Sequence, residues 1–283
     1  ESLPLLHQSI QNAMKEIARS WEVIYVDDGS RDTSVKWLTA LALQDTKHVV
    51  LVEFRRNFGQ TTAIAAGIDH ARGDVIVFLD ADLQNDPVDI PMLLAKLDEG
   101  YDVVSGWRKN REDNAMTRNL PSHMANWLIS NVTGVHLHDY GCTLKAYRRE
   151  ALTGFRLYGE MHRFIPVYAN AVGAKIVEVP VRHHARKFGK SKYGLERTTK
   201  VILDLIAVQF LTRYANKPIY LFGGGGIILS GLGLLGLVFI SVRKFIAQID
   251  ILPSPIFIIS VIAIILGFQS ILMGLIAELL ART

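Results

Sequence analysis

Residues 75–84 read VIVFLDADLQ, five apolar residues followed at once by two aspartates two positions apart. The apolar run predicts a buried β-strand, and the aspartates predict that it ends at a polar site. Buried carboxylates are costly unless a cation pairs with them. In an extended segment Asp80, Asp82 and Gln84 would point to the same side. These oxygen ligands suit Mg²⁺ or Mn²⁺. Taken alone, the two aspartates would fit a simple acidic turn closed by Asp86-Pro87 better, and the rest of the chain favours the metal site.

Apolar segments alternate with helical patterns over the first half of the chain. Short apolar strands separated by helices predict a parallel sheet covered on both faces, and ligands bind such sheets beyond the carboxyl ends of the strands. Polar groups follow three of the strands there: Asp27–Ser30, Arg55–Asn57 and Asp80–Gln84. We therefore expect one site at this edge. The predicted strands are 22–26, 48–53, 74–79, 102–105 and an edge strand at 175–181, with helices at 33–42, 61–70 and 90–99.

Charge is distributed unevenly along the chain. Of 31 basic and 27 acidic residues, those beyond Lys217 are Arg243, Lys244, Asp250, Glu278 and Arg282. The formal net charge of +4 is small and no basic stripe interleaves with aromatic residues, so nucleic acid is not an expected partner. A single cysteine excludes an intramolecular disulfide. The front of the chain is typical of a globular domain, and the tail is typical of a membrane segment.

Two uncharged segments, at about 218–243 and 255–278, are each long enough to cross a bilayer. They predict a two-helix transmembrane hairpin over 218–283. Basic residues flank both ends of the hairpin, and their distribution favours cytoplasmic termini. Glycines in the first segment would let a partner helix approach closely, so we also expect that the protein can form a homo-oligomer.

Residues 195–217 predict an amphipathic juxtamembrane helix. Its apolar positions are Val201, Leu205, Val208 and Leu211, with charged residues elsewhere. A helix of this kind beside a spanning segment is expected to lie on the membrane surface. Packing against the sheet of the preceding domain would produce the same pattern, and the sequence leaves both interpretations open.

Five motifs, together with the apolar tail, resemble the polyprenyl-phosphate glycosyltransferases, family 2 enzymes of the GT-A fold. This group includes dolichol-phosphate mannose synthases, bactoprenol glucosyltransferases and the aminoarabinose transferase type. The resemblance covers essentially the whole chain and implies an α/β, Rossmann-like GT-A domain over 1–194. It is specific for the family and not for the sugar. The motifs are Asp27–Ser30, Arg56–Gly59, Asp80–Pro87, Asp139–Cys142 and Arg186–Tyr193.

The resemblance also implies roles for ten residues. These are Asp82 and Gln84 as metal ligands for Mg²⁺ or Mn²⁺; Asp28, Asp80, Arg186 and Lys192 at the donor; Arg108, Arg118 and Ser122 at the lipid phosphate; and Asp139 with Asp80 in catalysis. Asp139 could orient the acceptor, stabilise a positive sugar centre or accept a proton, and the sequence does not choose among these roles. We interpret His183-His184 as structural, since no third zinc ligand stands at a convincing spacing.

The implied function is transfer of a sugar from a nucleotide-sugar to undecaprenyl or another polyprenyl phosphate. Glucose from UDP-glucose is the expected donor, and GDP-mannose is the alternative within the class. A processive polysaccharide synthase fits less well, because the sequence predicts only two spanning segments and has no acceptor motif of the Gln-x-x-Arg-Trp type. A non-catalytic membrane scaffold is the alternative from another class, and the full set of carboxylates disfavours it.

The resemblance places this protein in the plasma or inner membrane, with its catalytic domain in the cytoplasm. Members of the group begin with an apolar strand that helps to hold the nucleotide, and they continue past the second spanning helix. The sequence begins at Glu1-Ser2-Leu3-Pro4 and ends at Thr283. We therefore expect that it is a portion of a longer chain whose first strand is missing.

Overall fold

The computed structural model of the chain describes residues 1–109, 120–154, 156–185, 196–215, 217–247 and 254–281. For residues 120–124 and 196–202 it describes the backbone alone. The chain folds as two compact units, Glu1–Val208 and Gln209–Thr283. The first unit is a mixed α/β domain, and the second contains the two long apolar helices.

The strands of the first unit form two sheets in the described part of the chain. Strands β1 (Val23–Asp27) and β2 (Val49–Glu53) pair in parallel. The other four strands form a sheet in the order β3-β5-β4-β6. They are β3 (Val75–Phe78), β4 (Val103–Trp107), β5 (Lys145–Arg148) and β6 (Ile176–Pro180).

An entirely parallel sheet was a wrong prediction. Strand β5 pairs antiparallel with both β3 and β4, whereas β4 and β6 pair in parallel. The sequence hides β5 because Lys145 and Arg148 interrupt any apolar run, although Ala146 and Tyr147 are fully buried. The edge position predicted for the strand containing Pro180 is confirmed, since β6 ends the sheet.

Helices of the first unit cover both sheets. Leu6 and Ile10 of α1 pack against Tyr25 of β1 and Val49 of β2 in the two-stranded sheet. Helix α4 packs on one face of the larger sheet. Residues of α6 pack on its other face. The helices are α1 (Ser2–Lys15), α2 (Ser34–Gln44), α3 (Gln60–His70), α4 (Ile90–Asp98), α5 (Leu120–Thr133), α6 (Ile165–Ala171) and α7 (Glu196–Arg213).

Helix α7 carries apolar residues on more than one side. Leu205 and Val208 are buried in a core cluster with Phe164 of the first unit. Leu203 and Ile206 are instead exposed, at 61% and 64% of their surface. Leu205 and Val208 of the predicted stripe therefore pack against the domain, whereas Leu211 is 39% exposed and the side chain of Val201 lies outside the described residues. The structure thus leaves an apolar surface on α7, and its place at a membrane stays a prediction.

The second unit is a helical hairpin of α8 (Ile219–Ala247) and α9 (Pro255–Ala281). Both helices are long and apolar enough to cross a membrane. Glycines allow their backbones to approach closely. A Cβ atom added to Gly226 would lie 2.5 Å from the carbonyl oxygen of Gly267, and one added to Gly233 would lie 2.6 Å from that of Ser260. These glycines therefore serve contact within the hairpin.

Candidate functional site

The segment Asp80–Gln84 follows β3 as a turn, so the extended conformation predicted for it is wrong. Leu83 adopts a positive φ of 60°, which is unusual for a residue with a side chain. The Asp82 carboxylate accepts a hydrogen bond from the backbone N–H of Gln84, at 3.1 Å. A local side-chain bond of this kind stabilises a turn in place of a continued strand. Asp80, Asp82 and Gln84 consequently do not share one strand face.

Asp80 connects the end of β3 to two other parts of the domain. Its Oδ1 atom accepts a hydrogen bond from Gln60 Nε2 at 2.9 Å, and its Oδ2 atom accepts one from Thr143 Oγ1 at 2.5 Å. Burial raises the pKa of Asp80, and the negative charge of Asp82 raises it further. The Thr143 hydrogen bond and the positive charge of Arg108 lower the pKa of Asp80 but do not cancel these effects.

The oxygen donors of the turn after β3, Asp80, Asp82 and Gln84, fit a divalent cation. Two neighbouring carboxylates, one of them largely withdrawn from water, are stabilised by a divalent ion. Within the described ranges no group of three or more His, Cys, Asp or Glu could hold a metal. Mg²⁺ is commonly bound in proteins by one or two carboxylates together with substrate phosphates.

His183 lies beside this turn. Its Nε2 atom is 3.5 Å from Gln84 Nε2, and Asn85 forms an isolated β-bridge with His183. The backbone N–H of His184 donates to the Gln84 carbonyl at 2.8 Å, and its ring contacts Asp86 at 3.2 Å. The two histidines therefore hold the turn after β3, in agreement with a structural interpretation.

Arg108 and Asp139, for which the resemblance implied separate roles, form one ion pair. Arg108 follows β4, and its Nε and Nη2 atoms lie 2.7 and 2.9 Å from the two Asp139 carboxylate oxygens. The side chains are 16% and 3% exposed. Bidentate Arg–carboxylate bonds are strong and fix both groups in orientation. The pair places a cation and a carboxylate near Asp80, since the charge of Arg108 reaches that residue.

Glu178 of β6 positions the chain at Asp139. Its carboxylate accepts hydrogen bonds from the backbone N–H groups of His138 and Asp139, both at 3.0 Å. It also contacts His138 Nδ1 at 2.7 Å, and the ring of His138 stacks on Trp107 at a centroid distance of 4.4 Å. Because the Glu178 side chain is 9% exposed, these contacts hold the backbone before the ion pair rigidly.

The loop Asp139–Thr143 joins the two halves of the candidate site. It carries Asp139, bound to Arg108, at one end and Thr143, bound to Asp80, at the other. Lys145 lies beneath it, buried, and its Nζ atom donates to the carbonyl oxygens of Tyr140 and Cys142. Burial lowers the pKa of Lys145. A buried ammonium with two carbonyl partners is a structural anchor for the loop.

Asp28 lies at the end of β1, and its carboxylate binds a neighbouring loop. It accepts hydrogen bonds from Asn57 Nδ2 at 2.7 Å, Phe58 N at 2.6 Å and Gly59 N at 2.9 Å. The loop leads directly into Gln60, which binds Asp80. Asp28 therefore supports the other strand end through the start of α3, whatever its part in binding a donor.

Several predicted site residues lie where the structure gives no side-chain information. Arg118, Arg186 and Lys192 are outside the described residues, and Ser122 is described by its backbone in α5 alone. Their assignments to the lipid phosphate and the donor diphosphate stay predictions. The described residues bring together Asp80, Asp82, Gln84, Arg108 and Asp139.

Sequence reasoning missed four residues that shape the site. Gln60, Thr143, Lys145 and Glu178 each bond a predicted site residue or its loop. Thr143 immediately follows the Asp139–Cys142 motif, and Lys145 follows two positions later as the first residue of β5, where a charged residue in a buried strand was the available signal. Gln60 and Glu178 lie 20 and 39 positions from their partners, so no local pattern marks them.

Comparison with known proteins identifies the family. The model of "Glycosyl transferase family 2" matches residues 1–155. A dodecaprenyl-phosphate galacturonate synthase of Rhizobium johnstonii is 44% identical, over 100% of this chain and 85% of that protein. An undecaprenyl-phosphate 4-deoxy-4-formamido-L-arabinose transferase of Klebsiella pneumoniae is 39% identical, again over 100% and 85%.

A solved structure shows the same fold at low identity. Glucosyl-3-phosphoglycerate synthase from Mycobacterium tuberculosis, in complex with Mn²⁺, uridine diphosphate and phosphoglyceric acid, aligns with a TM-score of 0.51. The sequence identity is 19%, and the alignment covers 73% of each chain. The expected GT-A-type α/β fold is thereby confirmed. With a family model over more than half its length and relatives that match throughout, the chain belongs to glycosyltransferase family 2.

Proposed function

We propose that this glycosyltransferase transfers a sugar from a nucleotide-sugar to a polyprenyl phosphate in a membrane. One observation carries the proposal: relatives at 44% and 39% identity match this chain throughout, and both are named for a polyprenyl-phosphate sugar. The apolar hairpin supports it, because an acceptor with a long hydrocarbon chain is confined to a bilayer. Residues 1–194 would form the catalytic domain and 195–217 the juxtamembrane helix, as the sequence predicts.

The chemistry follows from charge. An oxygen of the acceptor phosphate bonds to the anomeric carbon, and the nucleoside diphosphate leaves with the bonding electron pair. In-line attack inverts the anomeric configuration. A phosphate monoester has a second pKa of about 6, so the acceptor is largely dianionic at pH 7 and needs no proton acceptor. The protein must instead offset the repulsion between two anions that meet at one carbon.

The Arg108–Asp139 pair suits this task. Asp139 binds Arg108 through two nitrogens, which orients the guanidinium and occupies the carboxylate. A guanidinium held in this way is fixed in orientation, and its planar shape and permanent positive charge suit the recognition of a phosphate. Of the three roles considered for Asp139, the geometry favours orientation, exerted on the acceptor through Arg108. Arg118 and Ser122 would complete this phosphate site, as the resemblance implies.

A divalent cation is the cofactor we propose for the donor side. Asp82 and Gln84 would hold Mg²⁺ or Mn²⁺, which when bound stabilises negative charge on the leaving diphosphate. Asp80, connected to Gln60 and Thr143, would face the donor sugar and ribose. Asp28, Arg186 and Lys192 would contact the nucleoside and the diphosphate.

The sugar is open to direct test. Glucose was the expectation from sequence, whereas the relatives are named for galacturonate and 4-deoxy-4-formamido-arabinose. Full-length protein in detergent should be incubated with undecaprenyl phosphate, Mn²⁺ and one donor at a time. The mass of the lipid product should then be measured by mass spectrometry. We expect product with a UDP-linked sugar from this set and none with GDP-mannose. Product with GDP-mannose alone would contradict the donor class, and no lipid-linked product with any donor would contradict the function.

We further propose that the catalytic unit faces the cytoplasm. Arg213, Lys217 and Arg282 flank the outer ends of the hairpin, against Arg243 and Lys244 near its loop. An excess of basic residues favours the cytoplasmic side. Nucleotide-sugars would then reach the site from the cytoplasm.

A further inference from the structure

One face of helix α9 packs against α8. Its buried residues are Ser260, Gly267 and Gly274, which recur every seven positions. A Cβ atom added to Gly274 would lie 3.1 Å from Cβ of Phe222 in α8, and one added to Gly267 would meet Ser230. The contact between the helices therefore runs along a narrow line of small residues.

The opposite face of α9 carries Gln269. Successive residues of a helix turn by about 100°, so Gln269 lies about 200° from Gly267 around the axis. Its side chain is exposed, and among the described residues its amide has no hydrogen-bond partner. It stands roughly 18 to 21 Å from the two ends of α9, at 1.5 Å per residue. If α9 spans the bilayer, this amide lies near the middle of the hydrocarbon.

Gln269 belongs to a regular row of exposed residues. Their spacing alternates between three and four positions, which is the a/d pattern of helices that pair side by side. A single polar residue at an a position of such a row specifies register and oligomeric state. We call this row the Gln269 seam: Ile262, Ile265, Gln269, Leu272, Ile276 and Leu279.

We propose that the Gln269 seam is a contact between two copies of this chain, with the Gln269 amides hydrogen-bonded to each other. Copies that insert in the same orientation present parallel α9 helices, so Gln269 stands at one depth in both. An amide is both donor and acceptor and therefore complements itself, which lipid tails cannot do. The glycines first expected to mediate self-association, such as Gly226 and Gly233, are occupied by α9 of the same hairpin.

The proposal is tested by association in lipid vesicles. Full-length chains with donor or acceptor fluorescent proteins at the C-terminus should be diluted into phosphatidylcholine–phosphatidylglycerol vesicles, and energy transfer measured against protein-to-lipid ratio. We expect Gln269→Leu to weaken association about three- to twenty-fold, the range for hydrogen bonds between membrane helices. Phe268→Leu is the matched control, since Phe268 is exposed at the same depth but about 100° away, and it should associate like the wild type.

Cross-linking identifies the face directly. In the same vesicles, mild oxidation with copper–phenanthroline should link Leu272→Cys copies, which keep Gln269, as disulfide dimers and leave Phe268→Cys copies monomeric, while Cys142 is buried. The proposal would be overturned if the wild type is monomeric in pure lipid, which would point to another partner for this face. It would equally be overturned if Gln269→Leu associates as tightly as the wild type.

Discussion

The carboxyl ends of β1 and β3 carry the same sequence signal, an apolar strand followed by aspartates, but use it differently. At the end of β1, Asp28 accepts hydrogen bonds from an adjacent loop, two of them from backbone N–H groups. At the end of β3, Asp80 lies beside Asp82, and burial together with that second charge raises its pKa. The surrounding donors thus decide what a strand-end aspartate does. Backbone donors hold the Asp28 carboxylate in place, whereas Asp80 and Asp82 form a pair of neighbouring carboxylates, and we propose that a cation binds at the end of β3.

The geometry of β1 explains this difference. A Cβ atom on Gly29 would lie 2.6 Å from the backbone carbon of Arg56, so the two strand-end loops touch closely. Gly29 also has a positive φ of 73°, which favours glycine. This close backbone approach brings the N–H groups of Phe58 and Gly59 to the Asp28 carboxylate.

The largest effect on activity is expected for Asp82→Asn. A neutral amide cannot offset the charge of a divalent ion as a carboxylate does, so transfer should fall about 100- to 1000-fold, the scale for losing one electrostatic contact to a transition state. Initial rates across Mg²⁺ and Mn²⁺ titrations provide the measurement. Asp86→Asn is the matched control, because Asp86 bonds Val88 N in the following turn and should tolerate an amide. Near-normal rates for Asp82→Asn would contradict the assignment of a metal site to the end of β3.

Asp139→Asn should have the next largest effect. Asparagine keeps one acceptor oxygen, so the bidentate bond to Arg108 is reduced to a single one, and we expect turnover to fall about 10- to 100-fold. If Asp139 were instead a general base, its loss would lower turnover by up to about 10⁴-fold. Steady-state kinetics with donor and lipid varied in turn would separate turnover from affinity. Loss of nucleotide affinity along with turnover would assign Asp139 to the donor site instead.

The raised pKa of Asp80 predicts a metal requirement that depends on pH. Because its pKa is above the ordinary value, the Asp80 carboxyl takes up a proton at a higher pH than a solvated aspartate, and the proton competes with the cation. The Mn²⁺ concentration for half-maximal activity should therefore rise as pH falls. Thr143→Val removes the hydrogen bond to Asp80 Oδ2 and should move this rise to higher pH. A metal requirement that is independent of pH in both proteins would contradict the coupling.

Asp28→Asn should affect activity least and stability most. An amide oxygen accepts hydrogen bonds more weakly than a carboxylate, so we expect unfolding to become easier by about 1–3 kcal/mol, with the metal requirement unchanged. Thermal unfolding in detergent and nucleotide binding measure the two effects. A loss of nucleotide affinity without loss of stability would make Asp28 a donor ligand in the first place, as the resemblance implies.

The sequence predicted the strands and helices that are marked by a continuous run of apolar residues. The apolar strands β1 to β4 and the hairpin helices follow from runs of side chains that need burial, and the structure confirms them. Strand β5 escaped because Lys145 is buried by bonding two carbonyl groups, a contact that its neighbours in sequence do not reveal. The turn at Asp80–Gln84 escaped because the backbone N–H of Gln84 donates a hydrogen bond to the Asp82 carboxylate, and this local contact overrides the extended pattern.

The sequence predicted where the candidate site lies, but not which side chains bond to each other there. The polar groups expected at one edge of the sheet are connected, since Asp28 bonds Asn57 and Gln60, just after that loop, bonds Asp80. The pairing of Arg108 with Asp139 spans 31 positions and depends on Glu178 of β6, which fixes the backbone at Asp139. Contacts of this range arise from the folded sheet, and the resemblance, which matches the motifs one by one, implied separate roles for the two residues.

Nucleotide binding with and without metal tests the central claim most directly, namely that the end of β3 and not the end of β1 holds a cation. Isothermal titration of uridine diphosphate into wild type, Asp82→Asn and Asp28→Asn should be done in Mn²⁺ and again in EDTA. We expect the wild type and Asp28→Asn to bind far more tightly in Mn²⁺, and Asp82→Asn to bind weakly in both. Metal-independent binding by the wild type, or metal dependence that Asp28→Asn loses and Asp82→Asn keeps, would contradict the account.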